Sequence, residues 1–134
     1  MALSELTQRC LERGRALFNS GAHWEAHEAW EEAWLEESGE VRQLLQGLIQ
    51  AAAALHKAFV QKQPTSCVKL FTTSLQKLWP LQAELGGLQL DAFRAEARTA
   101  LAAAERWAAG EAADFPREAT PFLAVVGEDV RPPG

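Results

Sequence analysis

The segment from Val41 to Phe59 constrains the fold most, because Val41, Leu44, Leu45, Leu48, Ala52, Leu55 and Phe59 recur at three- and four-residue spacing. One amphipathic helix satisfies that pattern. Its most apolar part, Leu44 to Val60, is interrupted by Gln46, Gln50, His56 and Lys57, so it is too short and too polar to span a bilayer. It reads as the central helix of a core. Composition points the same way: 48% of residues are hydrophobic, Ala and Leu dominate, Tyr is absent and Val and Ile are few. An all-α class follows.

At 134 residues the chain falls within the usual size of one domain and can bury a sizeable core without staples. One domain over residues 1–134 is therefore expected, with a motif core at 17–59 and a tail at 111–134. The net charge of −5 offers no positive field to phosphate backbones or to an anionic membrane surface. Neither nucleic acid nor membrane is an expected partner. Cys10 and Cys67 have no second cysteine near them, and Met1-Ala2-Leu3-Ser4-Glu5 lacks the basic-then-apolar order of a signal peptide. Two free buried thiols in a cytoplasmic protein are expected.

Punctuation divides the chain into five helices. Ser4 is the expected N-cap of the first, which carries Leu6, Leu11, Leu17 and Phe18 and stops at Asn19-Ser20-Gly21. The second runs from about Ala22 to Glu37 and stops near Ser38-Gly39, where glycine suits a left-handed C′ position. The third covers about Glu40 to Lys62 and ends before Pro64. Thr65 or Ser66 can cap the fourth, which ends near Trp79-Pro80, and Gly86-Gly87 then breaks the chain. Asp91 is the expected cap of a fifth helix that Gly110 closes. Beyond Glu111, Pro116, Pro121, Pro132 and Pro133 forbid a long helix. Phe115, Phe122 and Leu123 are expected to strap back over the bundle in extended form, with the last residues loosely held. The expected architecture is a bundle of about five helices with an extended, proline-containing C-terminal tail.

Chemistry concentrates on the second helix. At 100° per residue, His23, Trp24, His27, Trp30, Glu31 and Trp34 share one face, while Glu25, Ala29, Glu32 and Glu36 share the other, with Glu28 on the border. A His and a Glu one turn apart then lie inside a tryptophan stripe that should face the core. A buried carboxylate needs a cation, a hydrogen-bond donor or a metal. The third helix turns His56 toward its apolar face, so His27, Glu31 and His56 form a candidate ligand set for a divalent ion such as Zn, Mn, Fe or Ni. The same residues can instead lock the helix pair by hydrogen-bonding each other, the indoles or Arg42. His23 can extend the ligand column of His27 and Glu31, although at a helix start such a residue is more often a solvent-facing or capping side chain. Gln46, Gln50 and Lys57 read as a hydrated face. The run from Glu25 to Glu40 contains no Lys or Arg, so the local potential is negative and would recruit a cation. No Ser/His/Asp set, glycine-rich phosphate loop or cysteine pair with metal spacing is present.

The segment from Phe18 to Trp34, with its His27-x-x-x-Glu31-x-x-Trp34 run, resembles a bacterial and archaeal family known as domain of unknown function 309. Gln46-Gly47-Leu48-Ile49-Gln50 and Arg42 match the helix that follows the motif in that family. The resemblance covers about Leu17 to Phe59. It implies a small helical bundle and a metal-binding role for the motif, with His27, Glu31 and Trp34 carrying it, Glu28 following the His, and a His at or next to position 56. This chain departs from the pattern at Trp30, where an aliphatic residue is usual, and at Lys57, where a second His can occur.

Two readings from different classes follow. In one, His27, Glu31 and His56 hold a divalent ion, Glu28 assists from behind or acts as a base, and Trp34, Arg42, Gln46 and Gln50 surround the site. In the other, a non-catalytic module uses the tryptophan stripe and the buried polar pair to shape a groove for a partner helix, a small molecule or another copy of the chain. Both readings place His27, Glu31 and Trp34 mostly out of solvent. Exposed tryptophans would favour the second.

Overall fold

The computed structural model describes residues 3–127; the expectation of loosely held last residues, Pro132 and Pro133 among them, falls outside that range. Helix α1 spans Glu5–Asn19, α2 His23–Trp34, α3 Gly39–Phe59, α4 Pro64–Leu78 and α5 Leu90–Ala108. Before α5 the strands β1 (Glu84–Leu85) and β2 (Leu88–Gln89) form a small antiparallel hairpin, and Arg117–Ala119 make one 3₁₀ turn. No helix of the described residues is long and apolar enough to cross a membrane.

Helix α3 is the hub. Leu44, Leu45, Leu48, Ala51, Ala52, Ala54 and Leu55 are all fully buried along it, and α2 and α4 pack on either side. Two glycines let the neighbours approach closely. A Cβ on Gly47 would lie 2.5 Å from the Leu78 side chain, and the Ser74 hydroxyl of α4 donates to the Gly47 carbonyl at 2.7 Å. Gly14 of α1 lies flat against the Trp30 indole of α2, where a Cβ would have no room at all.

Helix boundaries follow the expected punctuation with several corrections. Ser4 caps α1 as its sequence position suggests, accepting the Thr7 N–H at 3.1 Å. Thr65 and Ser66 do not cap α4. Pro64 already occupies its first turn, where the missing N–H costs nothing and the fixed φ suits a helix. Asp91 likewise lies inside the first turn of α5, after the N-cap residue Gln89, and its carboxylate accepts from the Ala92 N–H at 2.8 Å. Helix α2 ends at Trp34, earlier than Glu37, and Gly39 uses its positive φ of 64° to start α3 instead of ending α2. Helix α3 ends at Phe59, short of Lys62, which itself turns left-handed at φ 54°. Gly86-Gly87 is more than a break. With φ of 61° and 77° the pair makes the two-residue turn of the β1–β2 hairpin.

The segment after α5 returns over the bundle, as its prolines predict. Phe115 is buried against Phe59 and Phe71, and Leu123 is fully buried. The Asn19 amide clamps the Leu123 backbone to the end of α1 through both its N–H and its carbonyl, each bond 2.9 Å. Farther along, Val126 N–H donates to Gly87 and Gln89 N–H to Ala124, tying this strap to the hairpin. Cys10 and Cys67 are free and buried, as expected. Burial pushes the Cys67 thiol up to about 12, and burial with the Glu32 charge raises Cys10, so neither forms a thiolate readily.

Candidate functional site

Helix α2 is held between α1 and α3, and this double contact decides which side chains reach solvent. On the α1 side lie Ala26, Ala29, Ala33 and the fully buried Trp30, whose indole N–H donates to the Leu11 carbonyl at 3.4 Å. The alanines are small enough to let α1 come close, so the buried arc is rotated away from the tryptophan stripe that a count of large apolar residues would choose. Ala29 is therefore in the core and not on the acidic face. Glu31 lies about 100° around the helix from Trp30. Its side chain is 50% exposed, contrary to the expected burial.

The remaining motif residues form the outer rim of the α2–α3 seam. Trp24 is 43% exposed, and its indole stacks on the His27 imidazole at 4.4 Å with only 8° between the planes. From α3, the half-buried His56 packs against the same indole at 4.9 Å. His27 Nε2 lies 3.6 Å from Glu31 Oε2, an ion pair whenever the imidazole is protonated, while Nδ1 is buried with no partner in the protein. At the far end of the seam Arg42 covers the half-buried Trp34 ring at 4.0 Å and donates to the Trp34 and Glu37 carbonyls at 3.4 and 3.3 Å. Arg42 thus closes the last turn of α2 and does not serve Glu31. The half-buried Gln46 and Gln50 line α3 between these ends, and both Gln50 Oε1 and Trp34 Nε1 are buried without a protein partner. Glu28 is exposed.

His23 departs most from its sequence reading. Only 7% exposed, it is enclosed by Phe18 of α1, edge to face at 5.3 Å, and Phe59 of α3, stacked at 5.9 Å. Burial first, and the neighbouring His56 second, lower its pKa to about 4 against the opposing pull of Glu25. Its Nε2 is buried with no protein partner. No local signal announces this, because both covering rings come from other helices.

The three expected ligands can be compared with what an ion requires. Two donors each about 2.1 Å from one ion at a tetrahedral angle are roughly 3.4 Å apart, close to the His27–Glu31 separation. That pair fits. His56 faces Trp24, and among the described residues no three His, Cys, Asp or Glu side chains are placed to share an ion. The expected triad of His27, Glu31 and His56 is not assembled.

Residues 11–70 match the family model described as a domain of unknown function, DUF309. The similarity to that family covers 60 of the chain's 134 residues. The DUF309 match starts within α1 and ends within α4, so it takes in all of α2 and α3 and every histidine of the chain. The hairpin, α5 and the C-terminal strap lie beyond it. No curated protein matches the chain.

Proposed function

We propose that this protein is a binding module whose α2 rim receives a cationic segment of a partner protein, an Arg or Lys side chain lying over Trp24. The observation that carries this reading is the exposed, pre-oriented Trp24 indole, fixed by the His27 stack and flanked by His56. An aromatic face held in place attracts a cation without losing side-chain freedom on binding. Glu28 and Glu31, one and two turns farther along α2, supply carboxylates beside the ring, and no Lys or Arg occurs between Arg15 and Arg42 to repel the guest.

The test is calorimetric titration with a tetra-arginine peptide, using a tetra-glutamate peptide as control. Trp24→Ala is expected to weaken tetra-arginine binding by roughly two- to fivefold or more, the scale of an exposed cation–π contact. Glu28→Gln with Glu31→Gln should weaken it further and flatten its salt dependence. Binding that survives all three changes would refute the reading.

A second reading is favoured by one distance. The 3.6 Å between His27 Nε2 and Glu31 Oε2 suits two ligands of a divalent ion, with water or a partner filling the other positions. Zinc titration separates the two: an ion held there is lost in both His27→Ala and Glu31→Gln, but not in Trp24→Phe, which keeps the imidazole stacked.

A further inference from the structure

A cavity of about 350 Å³ opens where the α1–α2 turn, the end of α3 and the C-terminal strap meet. Phe18, Phe59, Pro121 and Phe122 give it apolar, largely aromatic walls, and its volume is that of a small-molecule site. Its polar lining divides into groups already engaged and groups still available. The Asn19 amide is occupied by the Leu123 backbone, and the Ser20 hydroxyl donates to the Leu17 carbonyl at 2.9 Å.

Three groups remain. Arg117, held over the Phe59 ring at 5.2 Å, is exposed and makes no ion pair among the described residues. His23 is more than nine-tenths buried, lines the cavity, and has no protein partner at Nε2. The third is the start of α2. Ala22, its N-cap residue, has no side chain to accept the first N–H groups, and Gly21 beside it holds a φ of 93° with open space around its Cα. Glu25 is not part of the lining.

We propose that this cavity binds a small organic acid, a carboxylate carried on a flat apolar body. The carboxylate pairs with the Arg117 guanidinium and the free N–H groups at the start of α2, where a helix terminus favours negative charge. The flat body lies among Phe18, Phe59 and Phe122, and His23 meets it as a neutral imidazole, because burial keeps that ring uncharged at neutral pH. Unlike the α2 rim, the cavity draws on Arg117 from outside the DUF309 match and attracts negative charge.

Benzoate is the probe, followed by amide NMR of ¹⁵N-labelled protein at millimolar concentration. The Gly21 to Trp24 N–H signals should shift saturably. Arg117→Ala should weaken binding at least roughly tenfold, the scale of one charge-assisted hydrogen bond, at an unchanged melting temperature, and Arg117→Lys should restore part of it. Absence of a saturable shift, or equal affinity of the wild type and Arg117→Ala, would overturn the proposal. Benzyl alcohol binding as tightly as benzoate would remove the carboxylate from it, and inorganic phosphate binding as tightly would remove the flat apolar body.

Discussion

Trp30 and Trp24 belong to the same helix yet do opposite work. Trp30 is fully enclosed, pressed flat on Gly14 and bonded to the Leu11 carbonyl, so it joins α2 to α1. Trp24 is nearly half exposed and packs on two imidazoles, His27 of α2 and His56 of α3. The difference comes from their neighbours. An indole above a glycine becomes core, whereas an indole above a polar, half-buried ring remains a surface held in one orientation. Stability and recognition can therefore be divided between two copies of one residue type on one helix.

The largest effect expected from that division is at Trp30. Trp30→Ala should cost about 3–5 kcal/mol, measured by urea unfolding, because a fully buried indole leaves a cavity that α1 cannot collapse into. A loss under about 1 kcal/mol would mean that Trp30 is no more structural than Trp24.

The next effect concerns the buried His23 imidazole at the start of α2. His23 has a folded pKa near 4 against an ordinary value of 6.5, so between those values the unfolded chain binds more protons than the folded one. Its contribution is thus fully present above about pH 6.5 and is lost as the pH falls toward 4, amounting to roughly 3 kcal/mol. Urea unfolding across that range should show this loss, and His23→Phe should remove most of the pH dependence. An unchanged profile in the variant would place the titration elsewhere.

Much of the fold could be read from the chain. The spacing of Leu44, Leu48 and Leu55 identifies α3 and its central place, Ser4 marks the start of α1, and the prolines after Gly110 foretell the strap. The hairpin is not legible, because Gly86-Gly87 signals a chain break and a two-residue β-turn equally well, and strands this short carry no alternation. At the site, the four-residue spacing of His27 and Glu31 correctly makes them neighbours. The exposure of Glu31 is beyond reach, since three alanines on the other side of α2 decide how the helix is rolled. His23 was unreadable for a related reason: Phe18 and Phe59 cover it from separate helices, and a helical wheel contains neither.

A smaller effect sharpens the contrast along the rim. Trp34→Ala, which loses a half-buried ring and the Arg42 guanidinium above it, should destabilise by roughly 1–2 kcal/mol. Glu31→Ala should cost under about 1 kcal/mol, because its side chain is half exposed and its contact with His27 is long, at 3.6 Å. Thermal melts giving the reverse order would return Glu31 to a structural role.

In the proposed complex α2 presents Trp24, and not Trp30, to a cationic partner. Indole N–H resonances report each tryptophan separately, and titration with a tetra-arginine peptide reads both in one experiment. A saturable shift of the Trp24 indole signal is expected, with the Trp30 signal unmoved. A Trp24 signal that stays fixed while peptide binds, or a response seen equally at both indoles, would contradict it.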